Sequence, residues 1–307
     1  HRDLHSFPTR RSSDLVADLF SENFTPRVIK NFGLEYEDLK KIKPDIIMVS
    51  STGYGFYGPW ANFGATGPAT EGAAGLAYQT GYIGGNPVMA EIPYTDYTSG
   101  EHTVFAVMAA LMHRLRTGQG QFIDISQTQA TSSTIPEILM DFSANGRSGP
   151  RMGNQDTAMS PHGCYPCQGD DRWITIAVAT DGQWQAVCRV LGQDGWAADT
   201  RFEDSLSRWK NRGELDALIG PVTSSRDAHD LMRALQKEGV AAGAVFDSKD
   251  LLFDPHLGER GFYEVVTHHD STGIPPLPYA GRPWKMSKTP AAPSKRSEEH
   301  TSELQSR

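Results

Sequence analysis

Cysteine is scarce in this chain, and its scarcity excludes two classes of protein. The 307 residues contain only Cys164, Cys167 and Cys188, too few for a disulfide-stapled scaffold. Cys164 and Cys167 make a lone C-x-x-C pair, and a structural zinc site of this type would need a second pair. We therefore expect no metal, and we expect these two thiols to be buried and reduced in a cytoplasmic protein.

Long apolar runs and an excess of basic residues are also absent. No run approaches the roughly 20 apolar residues that a membrane-spanning helix needs, so no membrane association is expected. Lys and Arg number 29 against 37 Asp and Glu, a net charge of −8, which argues against a nucleic-acid partner. Hydrophobic residues make up 38% of the chain, enough for a substantial core and more than one domain.

Both chain ends lack apolar periodicity. Residues 1–15 and 296–307 look like translated sequencing-adapter DNA, and they are set aside as processing artefacts. Adapter-like sequence at both ends implies an open fragment, so we expect the natural N-terminus to be missing. Residues 16–295 are the part expected to fold.

Residues 16–132 alternate apolar strands with helices. Strands are predicted at Asp18–Phe24, Asp45–Ser50 and Phe122–Ser126, with helices between them. This alternation predicts an α/β domain with an open, Rossmann-like parallel sheet.

The rest of the chain divides into three further stretches. Residues 133–160 lose periodicity, collect glycine, and are predicted to be a linker. Residues 161–250 begin with a predicted β-hairpin and continue with helices, as in a smaller α+β domain. Residues 251–295 are rich in proline and are expected to return over the large domain.

Asp96 is the candidate catalytic residue that the sequence itself suggests. It lies just ahead of a predicted helix start, where Thr98 and Glu101 fit the spacing of a capping box. Apolar residues then recur at helical spacing, namely Val104, Met108, Leu111 and Leu115. A carboxylate oriented by the N–H groups of a first turn is either a cap or a nucleophile. The spacing alone leaves both roles open.

A set of short motifs runs in order along residues 16–295. The motifs are Glu22-Asn-Phe-Thr-Pro26, Gly33-Leu34, Lys43-Pro44, Ser50-Ser-Thr-Gly-Tyr-Gly55, Gly58-Pro59, Tyr94-Thr-Asp-Tyr-Thr-Ser-Gly-Glu101, Thr117-Gly-Gln-Gly-Gln121, Ile123-Asp-Ile-Ser126, Asp254-Pro-His-Leu257 and Arg260-Gly-Phe262. In this order they resemble the motifs of the family III CoA-transferases. Each motif is weak alone, and the specificity comes from the ordered set.

The resemblance implies a function and a site. It implies transfer of CoA between an acyl-CoA thioester and a small carboxylic acid, through anhydride and aspartyl-CoA intermediates on Asp96. It implies that Asn23 and Phe24 contact CoA, the co-substrate. It also implies an interlocked homodimer and places the family's first strand and helix outside this fragment. Gly53 and Gly55 would let the backbone approach a ligand closely.

Two other interpretations remain open at this stage. The 2-methylacyl-CoA racemases share this fold and pair the aspartate with a histidine about thirty residues earlier as proton-exchanging bases. Thr66 stands at that position here, and threonine cannot exchange a proton at neutral pH. The last alternative is a transferase fragment that has no activity.

Overall fold

The computed structural model describes residues 17–268 and 272–290. The adapter-like segments 1–15 and 296–307 lie outside the described residues. The chain separates into two compact units between Thr157 and Ala158. That division falls within the segment 133–160, which the sequence predicts to be a linker.

A three-stranded parallel sheet is the centre of the first unit. Its strands are β1 (Leu19–Glu22), β2 (Ile47–Thr52) and β3 (Phe122–Ser126), in the order β1-β2-β3. Both pairs of strands are parallel, which confirms the predicted α/β class. The middle strand is fully buried from Ile47 to Val49 because neighbours cover both faces of the sheet.

The helices of this unit follow the strands closely. They are α1 (Pro26–Asn31), α2 (Tyr36–Ile42), α3 (Gly67–Ala73), α4 (Leu76–Gln79), α5 (Tyr94–Thr117), α6 (Gln127–Ser132) and α7 (Pro136–Asn145). The core cluster beside the sheet joins Ile29 of α1 and Leu39 of α2 to Ile46 and Met48. Side chains from two helices thereby cover one face of the sheet.

The long helix α5 ends at a glycine. Gly118 has a φ of 73°, and its N–H donates to the Arg114 carbonyl oxygen at 2.7 Å, the usual glycine cap. The apolar face predicted on this helix is present, but the chain itself leaves it open. Val104, Met108 and Leu115 are 64%, 56% and 85% exposed.

The segment 133–160 is more regular than its sequence predicts. Helix α7 runs for ten residues within it, begins with Pro136 in its first turn, and ends at Gly146 with a φ of 68°. The expectation of an aperiodic stretch was therefore wrong. Proline near the first turn and glycine after the last turn are ordinary helix boundaries, so the glycines of this segment are compatible with a helix that ends at Gly146.

The second unit is built on the predicted hairpin. Strands β4 (His162–Pro166), β5 (Trp173–Ala177) and β6 (Ala241–Ala244) form an antiparallel sheet in that order. The other strands, β7 (Tyr263–Val266) and β8 (Leu277–Ala280), pair with each other. Helices are α8 (Asp181–Leu191), α9 (Asp194–Ala197), α10 (Ser205–Lys210), α11 (Arg212–Thr223), α12 (Ala228–Lys237), α13 (Ser248–Phe253) and α14 (Pro255–Glu259).

Two helices of this unit begin at capping side chains. The N-cap of α8 is Thr180, which forms a capping box with Gln183. The neighbouring Asp181 accepts a hydrogen bond from the buried Arg208 at 2.7 Å. Asp254 is the N-cap of α14 and accepts from the Leu257 N–H.

None of the three cysteines forms a disulfide. Cys167 and Cys188 are buried, Cys164 is half-buried, and all three are free. Burial raises the pKa of the Cys167 thiol to about 11, which makes it a poor nucleophile.

Among residues 17–268 and 272–290, no helix is both long and apolar enough to cross a membrane.

Candidate active site

The three parallel strands of the first unit end at one edge of the sheet. In the register, Glu22 lies beside Ser50, and Thr52 lies beside Ser126. Since parallel strands share their direction, the residues that follow them emerge at the same edge, where open α/β sheets bind ligands. Asn23, Gly53 and Gln127 are those residues.

Asp96 lies at the start of α5. It is the third residue of the helix, and Pro93 is the N-cap residue. The Asp96 side chain is exposed, and its Oδ1 accepts a hydrogen bond from Gln127 Nε2 at 2.8 Å. The carboxylate therefore caps no backbone N–H of its own helix. It is held instead by the residue that follows β3.

The predicted capping box at Thr98 and Glu101 was wrong. The helix has already begun at Tyr94, and the Thr98 hydroxyl donates back to the Tyr94 carbonyl oxygen at 3.1 Å. It also pairs with the Thr131 hydroxyl at 2.9 Å in a buried contact. Asp96 therefore lies inside the first turn of the helix and not ahead of it. Proline is tolerated at a helix start because its missing N–H needs no partner there.

Two buried hydroxyl pairs hold the first turns of α5. The first joins Thr95 to Thr70 of α3 at 2.9 Å, and the second joins Thr98 to Thr131 of α6. Thr95 and Thr98 lie on either side of Asp96 and are both buried. Because these polar groups are desolvated, breaking either pair leaves unsatisfied hydroxyls. The backbone that carries Asp96 is therefore fixed on two sides.

The loop after β2 is packed tightly at Gly53. A Cβ added to Gly53 would lie 2.2 Å from Ala65 Cβ and 3.2 Å from Thr70 Cγ2. The Gly53 carbonyl oxygen accepts two hydrogen bonds from Thr128, from its N at 3.1 Å and its Oγ1 at 2.8 Å. Glycine is therefore required at this position for space.

Gly55, farther along the same loop, has a φ of +91°, a conformation that glycine adopts at little cost. The next residue, Phe56, donates its N–H to Asp124 Oδ1 at 2.8 Å. Burial raises the pKa of the Asp124 carboxyl group above its usual value. Through its hydrogen bond to Phe56, Asp124 of β3 holds the loop that follows the neighbouring strand β2.

Asn23 and Phe24 follow β1 at the same edge. Both are exposed, and the Phe24 ring meets Phe32 edge-on at 6.0 Å. The Phe24 N–H donates to Glu22 Oε2 at 2.7 Å. Within the described residues, no hydrogen bond joins Asn23 or Phe24 to Asp96. The structure thus links Gly53 to Asp96 through α6. Asn23 and Phe24 share the sheet edge with these residues through the end of β1.

Three side chains that the sequence did not single out contribute to this edge. Gln127 holds Asp96, Asp124 holds the Gly55 loop, and Glu22 holds Phe24. All three lie in, or directly after, a predicted strand. Their position at carboxyl ends of parallel strands was a usable signal. Their individual partners depend on loop conformations that periodicity does not predict.

The position of Thr66 bears on proton-exchange chemistry. Thr66 is the exposed N-cap residue of α3, and its hydroxyl cannot act as a base. The carboxylate on the same helix, Glu71, is buried at 3% exposure and accepts the Ala90 N–H at 2.8 Å. In the described part of the chain, no group of three His, Cys, Asp or Glu side chains is arranged to hold a metal ion.

The chain belongs to CoA-transferase family III, whose family model matches residues 15–300. It is 31% identical over 292 residues to the succinate–glutarate CoA-transferase of Agrobacterium fabrum, covering 94% of this chain and 72% of that protein. It is 32% identical over 245 residues to the acetyl-CoA:oxalate CoA-transferase of Acetobacter aceti, covering 80% of this chain and 62% of that protein.

The fold is also similar to that of a solved member of this family. The crystal structure of a CAIB/BAIF family protein from Brucella suis matches with a TM-score of 0.87 at 29% identity, covering 99% of this chain and 79% of that one. The predicted family and its mixed α/β fold are thereby confirmed. This chain spans only part of the length of each of these relatives.

Proposed function

We propose that this protein transfers CoA between an acyl-CoA thioester and a small carboxylic acid, with Asp96 as the covalent nucleophile. The observation that carries the proposal is the placement of Asp96. Its exposed carboxylate lies at the start of α5 and is held by Gln127 at the ligand-binding edge of a parallel sheet. Membership of the family supports the same reaction.

The reaction divides into exchanges that a carboxylate can perform alone. One Asp96 oxygen attacks the thioester carbonyl carbon, the C–S bond breaks, and CoA leaves as a thiolate, which produces a mixed anhydride of Asp96 and the acyl group. The thiolate then attacks Asp96 Cγ, releases the first acid, and leaves aspartyl-CoA. The acceptor acid reverses both steps. Each step exchanges one acyl bond for another, which is the advantage of covalent catalysis.

The surrounding residues have separate roles in this proposal. Asn23 and Phe24 would contact CoA, and the backbone at Gly53 and Gly55 would pass close to the thioester. CoA enters as acyl-CoA, a co-substrate, and the chemistry needs no metal. An anhydride hydrolyses readily, so the site must exclude water during the exchange.

The acceptor class is suggested by the relatives. The Agrobacterium relative is a succinate–glutarate CoA-transferase, and the Acetobacter relative is an acetyl-CoA:oxalate CoA-transferase. We therefore place short carboxylic acids, with these three dicarboxylates first, as the acceptors to test. The absence of a base at Thr66 favours transfer over racemisation of a 2-methylacyl-CoA.

We also propose that the protein is a cytoplasmic homodimer of the interlocked type. The outer face of α5 carries large apolar side chains that are more than half exposed, namely Val104, Phe105, Met108, Met112 and Leu115. Contiguous exposed apolar side chains on this scale mark an interaction surface. A second copy of the chain is the occupant that the family resemblance suggests.

The direct test is an assay of the chain against a panel of acyl-CoAs and acids, with new acyl-CoA detected by mass spectrometry. We expect transfer with at least one short-chain pair, and complete loss in Asp96→Ala. Glu137→Ala removes another exposed first-turn carboxylate, on α7, and should retain activity. An Asp96→Ala protein that transfers CoA at the unsubstituted rate would contradict the assignment.

The racemase alternative predicts a different product. With a chiral 2-methylacyl-CoA in deuterated water and no acceptor acid, a transferase leaves the α-hydrogen in place. Efficient deuterium incorporation at the α-carbon would overturn the transferase proposal. The mass of recovered acyl-CoA measures this directly.

A further inference from the structure

The two oxygens of the Asp96 carboxylate have different surroundings. Oδ1 accepts from Gln127 Nε2 at 2.8 Å, whereas Oδ2 has no hydrogen bond within the part of the chain that the structure describes. A carboxylate can only accept hydrogen bonds, so the Gln127 amide must present its NH₂ group to Oδ1. The arrangement leaves Oδ2 as the oxygen free to attack.

This asymmetry sets which atom carries charge later in the reaction. If Oδ2 attacks the thioester, Oδ2 becomes the bridging oxygen of the anhydride and Oδ1 becomes the carbonyl oxygen on Cγ. When CoA thiolate attacks Cγ, the carbonyl electron pair moves onto Oδ1. When the Cγ–Oδ2 bond breaks, Oδ2 leaves with the departing acid and the carbonyl on Oδ1 re-forms. Negative charge thus develops on Oδ1, where Gln127 already donates.

We propose that Gln127 is the oxyanion donor for the aspartyl half of each exchange. The inference rests on the proposed function, because it requires Asp96 to be the nucleophile. A donor acts on an oxyanion from 2.7–3.1 Å when it is fixed before the reaction, and the Gln127 distance of 2.8 Å lies within that range. Gln127 is then a catalytic residue, since it touches a reacting atom.

The backbone beneath Gln127 is held in place. Gln127 is the first residue of α6, directly after β3, and the Ser126 hydroxyl caps the helix by accepting the Gln129 N–H at 3.3 Å. The next residue, Thr128, donates twice to the Gly53 carbonyl oxygen. With neighbours fixed on both sides, the amide is directed at Asp96 with little reorganisation, which an oxyanion donor requires.

The proposal separates the two kinds of chemical step. The first attack places charge on the substrate's own carbonyl oxygen, whereas the Gln127 amide is bonded to Oδ1 of Asp96. The second attack places charge on Oδ1. Loss of the amide should therefore slow formation of aspartyl-CoA more than formation of the anhydride. The anhydride would persist and lose more of its acyl group to water.

Gln127→Met tests this with a side chain of similar length and no donor. We expect kcat for transfer to fall by roughly 10²–10³, the usual cost of removing one oxyanion donor, with KM for acyl-CoA changed less than threefold. The ratio of acyl-CoA hydrolysis to transfer should rise. Rapid-quench mass spectrometry should show aspartyl-CoA forming more slowly.

Gln129→Met is the matched control, because Gln129 lies on the same helix with an exposed side chain. It should match the unsubstituted protein in rate and in hydrolysis ratio. Gln127→Asn keeps an amide but withdraws it by one methylene, so it should give an intermediate rate. This second variant keeps the test informative if Gln127→Met fails to fold.

Two outcomes would overturn the proposal while leaving the nucleophile assignment intact. One is a folded Gln127→Met protein with kcat within threefold of the unsubstituted protein. The other is equal loss of hydrolysis and transfer in both Gln127 variants, which a structural role would produce. Failure of the proposed function has a separate signature, since the unsubstituted protein would then form no covalent adduct on Asp96.

Discussion

Thr128 donates two hydrogen bonds to the carbonyl oxygen of Gly53, from its backbone N at 3.1 Å and its Oγ1 at 2.8 Å. This contact joins the loop after β2 to the helix after β3. Because Gln127 precedes Thr128 and holds Asp96, the same short segment positions both the nucleophile and the glycine loop. The two parts of the candidate site are therefore expected to respond together to changes at α6.

Thr128→Val removes one of these hydrogen bonds while preserving shape. We expect a loss of about 0.5–1.5 kcal/mol in the free energy of unfolding and a several-fold rise in KM for acyl-CoA. Thr128→Ser retains the hydroxyl and should recover most of the loss. Steady-state kinetics and urea denaturation measure both effects. Unchanged kinetics in the valine variant would show that the loop holds its position without this contact.

Gly53→Ala should disturb the site by crowding. The added Cβ would meet Ala65 Cβ at 2.2 Å, so the loop or α3 must move. We expect at least a tenfold loss in kcat/KM, because small displacements of positioned groups are costly to catalysis. Gly64→Ala is the control, since a Cβ there meets nothing within 4 Å. Equal kinetics for the two variants would show that crowding at Gly53 does not matter.

Glu22 gives the fold a specific pH dependence. Its side chain is buried at 8% exposure, and its Oε1 has no hydrogen-bond partner among the described residues. Burial raises the pKa of its carboxyl group above 4.5 in the folded state. The folded state therefore favours the protonated acid, and ionisation destabilises it as pH rises from about 4.5 through the raised pKa.

Glu22→Gln should therefore stabilise the protein more at pH 7.5 than at pH 4. The glutamine amide can still accept the Phe24 N–H and carries no charge to bury. Urea denaturation at the two pH values measures the difference in the free energy of unfolding. Glu101→Gln, on the exposed surface of α5, controls for the loss of one negative charge. A glutamine variant that is less stable at pH 7.5 would refute this account of Glu22.

The sheet and its ligand-binding edge were predictable from sequence. Apolar runs located β1, β2 and β3, and parallel pairing then required Asn23, Gly53 and the residue after Ser126 to share an edge. These inferences depend on runs of apolar residues and on chain direction alone. Both properties are local, so a single sequence suffices.

The contacts within the site were less predictable. The start of α5 was placed too late because Thr98 and Glu101 matched a capping pattern, whereas the Thr98 hydroxyl is used in a buried pair with Thr131. The Gln127–Asp96 hydrogen bond joins residues 31 positions apart. A glutamine on a short helix has no distinguishing local pattern. Long-range partners of polar side chains depend on packing that periodicity does not encode.

The outer face of α5 should be buried against a second copy of the chain. Phe105 is 79% exposed in the single chain, so Phe105→Asp should not disturb the monomer core. We expect the unsubstituted protein to elute as a dimer and Phe105→Asp to shift toward monomer with an unchanged far-UV spectrum. Arg116→Asp alters charge on the same helix and should remain dimeric. A monomeric unsubstituted protein would contradict the homodimer proposal.

The covalent role of Asp96 is tested most directly by mass spectrometry of the protein quenched in acid during turnover with acyl-CoA. We expect a peptide containing Asp96 that carries the added mass of CoA as a thioester, formed at least as fast as the overall transfer. Asp96→Asn should give no adduct and no transfer. Transfer at full rate without any adduct, or an adduct on a different residue, would contradict the central claim.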